Sequence, residues 1–135
     1  MIESWQCEGY IMKIKQRKTK ELSIRHRNAI QYAVTVIRNS ELQPYVEDVI
    51  LYGSCARKEQ NYSSDIDLLL VLSEEFRKNE NLRIPLRKLK SQIMTDDIED
   101  PEIDLKIVIG SDWKMNPMQY YKNVKKDGIS LWIKS

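Results

Sequence analysis

Apolar residues fall into short blocks along the chain, and their spacing predicts both strands and helices. The runs 49–52 and 66–72 are predominantly apolar, the first ends at Gly53-Ser54, and the second carries acidic residues where it begins, which is typical of buried strands. Segment 102–109 alternates apolar residues with mostly charged ones, as a strand with one buried face does. Segments 22–39 and 82–93 repeat apolar residues at helical spacing. Strands that alternate with helices predict a mixed α/β domain, with a short mixed sheet and helices packed on one side.

The two ends of the chain carry weaker patterns. Residues 1–20 combine a few aromatic residues with a basic run, and we expect them to form an N-terminal arm ahead of a domain that spans 21–135. Near the other end, Asn116 and Pro117 predict the start of a helix. Gly128 predicts the end of that helix, and a short last strand is expected after it.

Composition favours a single globular domain in the cytoplasm. A chain of 135 residues is one domain by size, and its charged residues are abundant. The formal net charge of +2 is too small to indicate nucleic-acid or membrane binding. Cys7 and Cys55 match neither a disulfide framework nor a zinc site. The sequence shows no signal-peptide pattern and no apolar run of the roughly 20 residues that a membrane span needs, so we expect a cytoplasmic location.

The candidate chemistry lies where the second apolar run begins. Asp65 and Asp67 stand at the mouth of this predicted strand, two residues apart, so both side chains point to the same face. Two like charges placed side by side are costly unless a cation neutralises them. Mg²⁺ is held by one or two such carboxylates together with substrate phosphates. The pair therefore predicts a magnesium site.

The turn after the first apolar run adds a candidate phosphate site. Gly53 permits backbone torsions that are closed to other residues, and Ser54 is expected to cap a short helix that runs from Cys55. The start of a helix presents free N–H groups, which suit a phosphate. Together with the carboxylate pair, this turn predicts a site for a metal-bound nucleoside triphosphate.

A third carboxylate is available on the late strand. Asp104 and Glu102 share one face of segment 102–109, and Lys106 lies on the same face. A transferase that uses two metal ions needs a further acid beside the first pair. The structural alternative is an acidic residue on a solvated strand face, and the residues alone leave Asp104 and Glu102 both open.

Three other features have structural interpretations. His26 is expected at the surface, because a histidine acts in catalysis only beside a positioned partner. The acidic turn 96–100 is expected to be a solvated loop. The aromatic residues near the C terminus could stack on a base but are expected in the core: Tyr120, Tyr121 and Trp132.

The order Gly53-Ser54, ten intervening residues and Asp65-Ile66-Asp67 resembles the signature of the DNA polymerase β-like nucleotidyltransferase superfamily. Within it, the chain is most similar to the minimal nucleotidyltransferase family, whose small members often pair with HEPN-domain proteins in toxin–antitoxin operons. The resemblance runs from about 24 to 133. One departure from the family pattern is Lys58, where many relatives have glycine. The lysine is expected either to alter the turn or to add a contact to a phosphate.

The resemblance implies the polymerase β-like fold and an activity that transfers AMP from ATP to a tyrosine of a cognate HEPN toxin, with a possible complex of the two proteins. It implies that Asp65, Asp67 and Asp104 hold a pair of Mg²⁺ ions, with Asp104 as the third acid and Glu102 as the fallback. It also implies that Gly53 and Ser54 grip the β- and γ-phosphates. For Arg57 it leaves two roles, a phosphate contact or a tie that holds the short helix in place.

Two alternatives stay open. The chain could transfer a nucleotide to a small molecule or to an RNA end, although a strongly basic groove, which would favour RNA, is not indicated by the net charge. It could also be an antitoxin that neutralises its toxin by binding alone. Loss of an acid would mark such a protein, and here all three candidate positions are acidic.

Overall fold

The structure is a computed structural model that describes residues 21–94 and 100–132. Its helices are α1 (Ile24–Arg38), α2 (Gly53–Ala56), α3 (Arg83–Ile93) and α4 (Gln119–Asp127), and its strands are β1 (Val46–Tyr52), β2 (Ile66–Leu72), β3 (Ile103–Ile109) and β4 (Ile129–Ser130). The predicted N-terminal arm and most of the acidic turn lie outside the described residues. Within the described ranges, no helix is long and apolar enough to cross a membrane.

The strands form one four-stranded mixed sheet in the order β3-β2-β1-β4. β1 is antiparallel to both β2 and β4, whereas β2 and β3 are parallel. A parallel pair needs a crossover connection, and here that crossover contains α3. The predicted mixed α/β class and the mixed sheet are therefore confirmed.

The core lies on both faces of β2. Leu68 and Leu70 face a main cluster that includes residues of α1 and α3, while Leu69 and Val71 face a second cluster with Trp113 and Val124 of the C-terminal region. A strand buried on both faces needs apolar residues without alternation, which explains the continuous run in β2. The two longest helices thus share one face, as predicted, and the short helix α4 packs on the other face.

Helix α1 begins where Ser23 caps it, since the side chain of Ser23 accepts a hydrogen bond from the His26 backbone N–H at 3.1 Å. The prediction that His26 lies at the surface is wrong, because its side chain is only 1% exposed. The physical reason is its place on the inward stripe of α1, four residues before Ile30 and seven before Ala33, both of which are buried.

The C-terminal helix starts later than predicted. Met118, not Asn116, occupies the N-cap of α4. The side-chain oxygen of Asn116 instead accepts a hydrogen bond from the Met118 N–H at 3.0 Å, so it closes a turn that leads into the helix. Gly128 does follow the helix, but its φ of −63° is not left-handed. The expected last strand is the two-residue β4.

Candidate active site

Two of the predicted acids lie side by side in the sheet. Asp67 of β2 and Asp104 of β3 are register partners in the parallel pair, so their side chains leave the same face at neighbouring positions. Asp65 precedes β2 by one residue, is exposed, and shares this face by the alternation of the strand. The structure therefore places Asp67 and Asp104 side by side, with Asp65 near enough for its charge to act on Asp67.

Asp67 lies in a partly buried environment. Burial raises the pKa of Asp67 above its usual value, and the nearby charges of Asp104 and Asp65 raise it further. Lys106 and Arg57 act in the opposite direction, without reversing the shift. Such a carboxylate favours a bound cation, because a cation offsets both the repulsion and the lost hydration.

Asp104 already has one cationic neighbour. The Lys106 ammonium lies 2.8 Å from Asp104 Oδ2 and 5.4 Å from the centre of the Tyr120 ring. Asp104 also lines a surface pocket of about 290 Å³, together with Asp65, Met94, Glu102 and Ile103. Lys106 thus lies on the site face, where the sequence placed it.

The donor chemistry of this face fits Mg²⁺ as part of a nucleotide complex. Among residues 21–94 and 100–132, no three His, Cys, Asp or Glu side chains are arranged to hold a metal ion by themselves. Mg²⁺ does not require such a cage, since one or two carboxylates suffice when substrate phosphates and water complete its coordination. Asp67 and Asp104 offer that carboxylate pair.

Gly53 brings the turn after β1 against Asp67. Its φ of +77° lies in the left-handed region, and a Cβ placed on it would overlap Oδ2 of Asp67. Both the torsion and the close approach therefore require glycine at this position. The expected cap by Ser54 is wrong, because α2 begins at Gly53 and Tyr52 occupies the N-cap position. Ser54 is the second residue of the helix and so does not stand at its N-cap.

Arg57 and Lys58 shape the end of this short helix. The Arg57 guanidinium donates hydrogen bonds to Glu59 at 2.7 Å and to Asp127 of α4 at 3.1 Å. Two roles were expected for Arg57, a phosphate contact or a tie that holds the short helix in place. The contact with Asp127 corresponds to the second role, because it links the end of α2 to α4. Lys58 has a φ of +59°, a left-handed conformation that glycine adopts at lower cost.

Sequence reasoning missed Tyr52 as a member of this site. Tyr52 is the register partner of Asp67 on β1, and its buried hydroxyl has no hydrogen-bond partner among the described residues. Burial, followed by the charges of Asp67 and Asp104, raises the pKa of the phenol. The rings of Tyr120 and Tyr121, 4.1 Å apart, pack on the same face. The available signal was the position of Tyr52 directly before Gly53.

A comparison with protein families identifies the domain type. The family described as "Nucleotidyltransferase domain" matches residues 36–126, a range that contains every candidate site residue. The chain is similar in structure to a proposed nucleotidyltransferase from Sulfolobus solfataricus, with 21% identity, 81% of each chain covered and a TM-score of 0.52. It is also similar to a toxin-antitoxin structure with AMP-PNP, with 20% identity over 78% of this chain and 71% of that chain, at a TM-score of 0.49. No curated protein matches the sequence.

Proposed function

The chain belongs to the nucleotidyltransferase domain family, and on that premise we propose that it transfers AMP from ATP to a tyrosine hydroxyl of a partner protein, a HEPN toxin. Its fold is that of the polymerase β-like superfamily. The observation that carries the proposal is the register pairing of Asp67 with Asp104, next to the Gly53 turn. This arrangement offers hard oxygen ligands beside a backbone that a phosphate can approach closely.

In the proposed reaction, the acceptor oxygen forms a bond to the α-phosphorus while the bond from that phosphorus to pyrophosphate breaks. Asp65, Asp67 and Asp104 would hold Mg²⁺, which supplies charge neutralisation at the phosphates and activation of the attacking oxygen. Asp104 would receive the acceptor proton, since its side chain is 52% exposed and can meet an incoming group. The turn at Gly53 and Ser54 would orient the β- and γ-phosphates.

Lys106 would act in two stages of this reaction. In the absence of nucleotide, its ammonium neutralises Asp104 at 2.8 Å. With a cation held by the carboxylates, the ammonium, whose side chain is 35% exposed, would instead be available to a phosphate oxygen. Lys106 therefore limits the electrostatic repulsion among the carboxylates when no nucleotide is bound.

The partner assignment rests on the sequence resemblance to minimal nucleotidyltransferases. The site is compatible with a protein acceptor, because Asp65 is exposed at its rim and the pocket that it lines with Asp104 is open to the surface. We expect the two proteins to form a complex, since transfer requires the acceptor hydroxyl to be held against the carboxylates.

The test follows label from ATP labelled at the α-phosphate, with Mg²⁺, into a co-expressed HEPN partner and into host-cell lysate. The wild type should transfer the label, whereas the double variant Asp65→Ala, Asp67→Ala should not. ATP labelled at the γ-phosphate is the control, because nucleotidyl transfer leaves that label in pyrophosphate. Label that enters an RNA or small-molecule fraction instead would contradict the proposed protein acceptor and would identify the acceptor as that class of molecule.

The same variants separate catalysis from binding alone. If the chain acts by binding alone, the wild type and the double variant should protect cells equally well. Neither protein would then label the partner. That result would contradict the enzymatic proposal. Protection that is lost in the double variant, while the complex still forms, would support it.

A further inference from the structure

His26 is a buried histidine with a polar partner at each ring nitrogen. Its Nε2 lies 3.0 Å from the Ser64 carbonyl oxygen and its Nδ1 lies 2.6 Å from Ser23 Oγ. A carbonyl oxygen can only accept a hydrogen bond, so Nε2 carries a proton and donates a hydrogen bond to the Ser64 carbonyl. Nδ1 pairs with the Ser23 hydroxyl. His26 therefore links the start of α1 to the residue directly before Asp65.

The loop before Asp65 is tied to the start of α1 at two further points. Gln60, which is 1% exposed, donates its side-chain N–H to the Glu21 carbonyl at 2.8 Å. The Arg25 guanidinium donates to the Tyr62 carbonyl at 2.9 Å. His26 and Gln60 are the buried polar side chains of the described chain. Buried polar groups are kept where their hydrogen bonds fix a specific arrangement, and here each one fixes this loop.

These contacts leave the Asp65 backbone fixed and its side chain free. The peptide before Asp65 is held through the Ser64 carbonyl, and the one after it through Ile66 N–H, which donates to the Glu102 carbonyl at 2.8 Å. The Asp65 side chain is exposed at the rim of the pocket. A carboxylate that is mobile only about its own side-chain bonds loses little freedom when it binds a cation.

We propose that His26 is a positioning residue that holds Asp65 in place for metal binding, through its hydrogen bond to the Ser64 carbonyl. The inference rests on the proposed function for the role of Asp65 as a metal ligand. Its structural half, the restraint of the Asp65 backbone, does not depend on that function. The two halves are therefore tested by separate measurements.

The chain offers a matched pair of variants. In His26→Gln, the amide nitrogen can take the place of Nε2 and still donate to the Ser64 carbonyl. In His26→Asn, the shorter amide can take the place of Nδ1 beside Ser23 but cannot reach Ser64. A role as a helix cap alone predicts that Asn is tolerated at least as well as Gln, whereas positioning of Asp65 predicts the reverse.

Hydrogen exchange tests the restraint without any metal. We expect His26→Asn to speed exchange of the Ile66 amide by about tenfold, whereas His26→Gln leaves it near the wild-type rate. The Leu131 amide, which donates to Val49 on another strand at 2.7 Å, is the reference for global opening. Parallel changes at Ile66 and Leu131, or no change at Ile66, would overturn the proposal.

Mn²⁺ binding in the presence of a non-hydrolysable ATP analogue, measured from the free-ion signal in electron paramagnetic resonance relative to the analogue alone, tests the consequence for the site, since phosphates complete the coordination. His26→Asn should weaken Mn²⁺ binding by about tenfold relative to wild type and to His26→Gln. Equal binding by all three proteins would overturn the role of His26 in metal binding. Absence of Mn²⁺ binding by the wild type would instead contradict the proposed metal site, and hydrogen exchange would still decide whether His26 restrains Asp65.

Discussion

Ionisation of Asp67 costs more free energy in the folded chain than in the unfolded chain. The carboxylate is partly buried and lies in register with Asp104, and both features raise its pKa. Two neighbours add further unfavourable features. Gly53 takes a left-handed torsion, and the Tyr52 hydroxyl is buried without a hydrogen-bond partner among the described residues. Unfavourable local features that cluster at one place are typical of functional sites.

The cost at Asp67 predicts a pH dependence of stability. Between its ordinary pKa of 3.8 and its raised pKa, the folded chain binds more protons at this group than the unfolded chain does. The free energy of unfolding should therefore fall as pH rises through that interval. Asp67→Asn, which stays neutral, should remove this loss and should be more stable than wild type at neutral pH, although it should lose transfer activity.

Urea unfolding of wild type and Asp67→Asn across acidic to neutral pH measures this difference. Glu41→Gln, at an exposed carboxylate, is the control and should show no such gain. Saturating Mg²⁺ and ATP should stabilise wild type more than Asp67→Asn, because binding to the folded state alone shifts the equilibrium. A variant that is less stable than wild type at neutral pH would contradict this account of Asp67.

Lys58 gives a second prediction at this scale. A residue other than glycine in the left-handed region costs about 1–2 kcal/mol, so Lys58→Gly should stabilise the fold by about 1 kcal/mol after the added freedom of the unfolded chain is counted. Lys58→Ala keeps the strained torsion and should show no such gain in urea unfolding. Destabilisation by Lys58→Gly would mean that the contacts of the lysine outweigh the strain.

Some of these residues could be predicted from the sequence and others could not. Gly53, Asp65 and Asp67 stand in a local pattern whose spacing carries the information. Tyr52 stands directly before Gly53, but its importance comes from a partner on another strand, which a local pattern does not show. His26 could have been placed inside the protein from the helical stripe that it shares with Ile30, but its bond to the Ser64 carbonyl depends on the tertiary fold.

Whole elements follow from the sequence where burial is continuous or periodic. β2 is buried on both faces and is continuously apolar from Leu68 to Leu72, and α1 shows a regular stripe. The start of α4 was misplaced because Asn116 has the chemistry of a cap and uses it to close the preceding turn. Residues with side-chain acceptors favour turns and caps alike, so the sequence alone does not separate the two.

The contact between α4 and β1 gives a prediction at the element scale. A Cβ on Gly128 would overlap the Val124 carbonyl oxygen and would lie 2.7 Å from Cγ2 of Ile50. Gly128→Ala should therefore push the end of α4 away from β1 and lower the free energy of unfolding by about 1–3 kcal/mol. Urea unfolding checks this.

Gly128→Ala together with Ile50→Leu separates the causes. Leucine lacks the Cγ2 methyl group and so removes one of the two close contacts, and it should recover part of the loss in the double variant. A Gly128→Ala variant as stable as wild type would show that α4 can move away from β1 without cost.

At the scale of the whole molecule, the site exists because β2 and β3 pair in parallel. The crossover between them contains α3, and the register that it sets places Asp104 beside Asp67. No local pattern in the sequence determines that register, since it depends on how α3 packs against the main core. The sequence therefore left Asp104 and Glu102 both open as the third acid, with only the family resemblance to favour Asp104.

The pairing of Asp67 with Asp104 is the central claim, and one comparison tests it most directly. The rate of AMP transfer from α-labelled ATP to lysate protein would be measured for wild type, Asp104→Asn and Glu102→Gln. Both acids line the same pocket, and Glu102 contacts Ile66 only through its backbone carbonyl in the β2–β3 connection, so neither change should disturb the sheet. We expect Asp104→Asn to lower the rate by about 100-fold or more and Glu102→Gln to leave it near wild type. Full activity in Asp104→Asn would contradict the account.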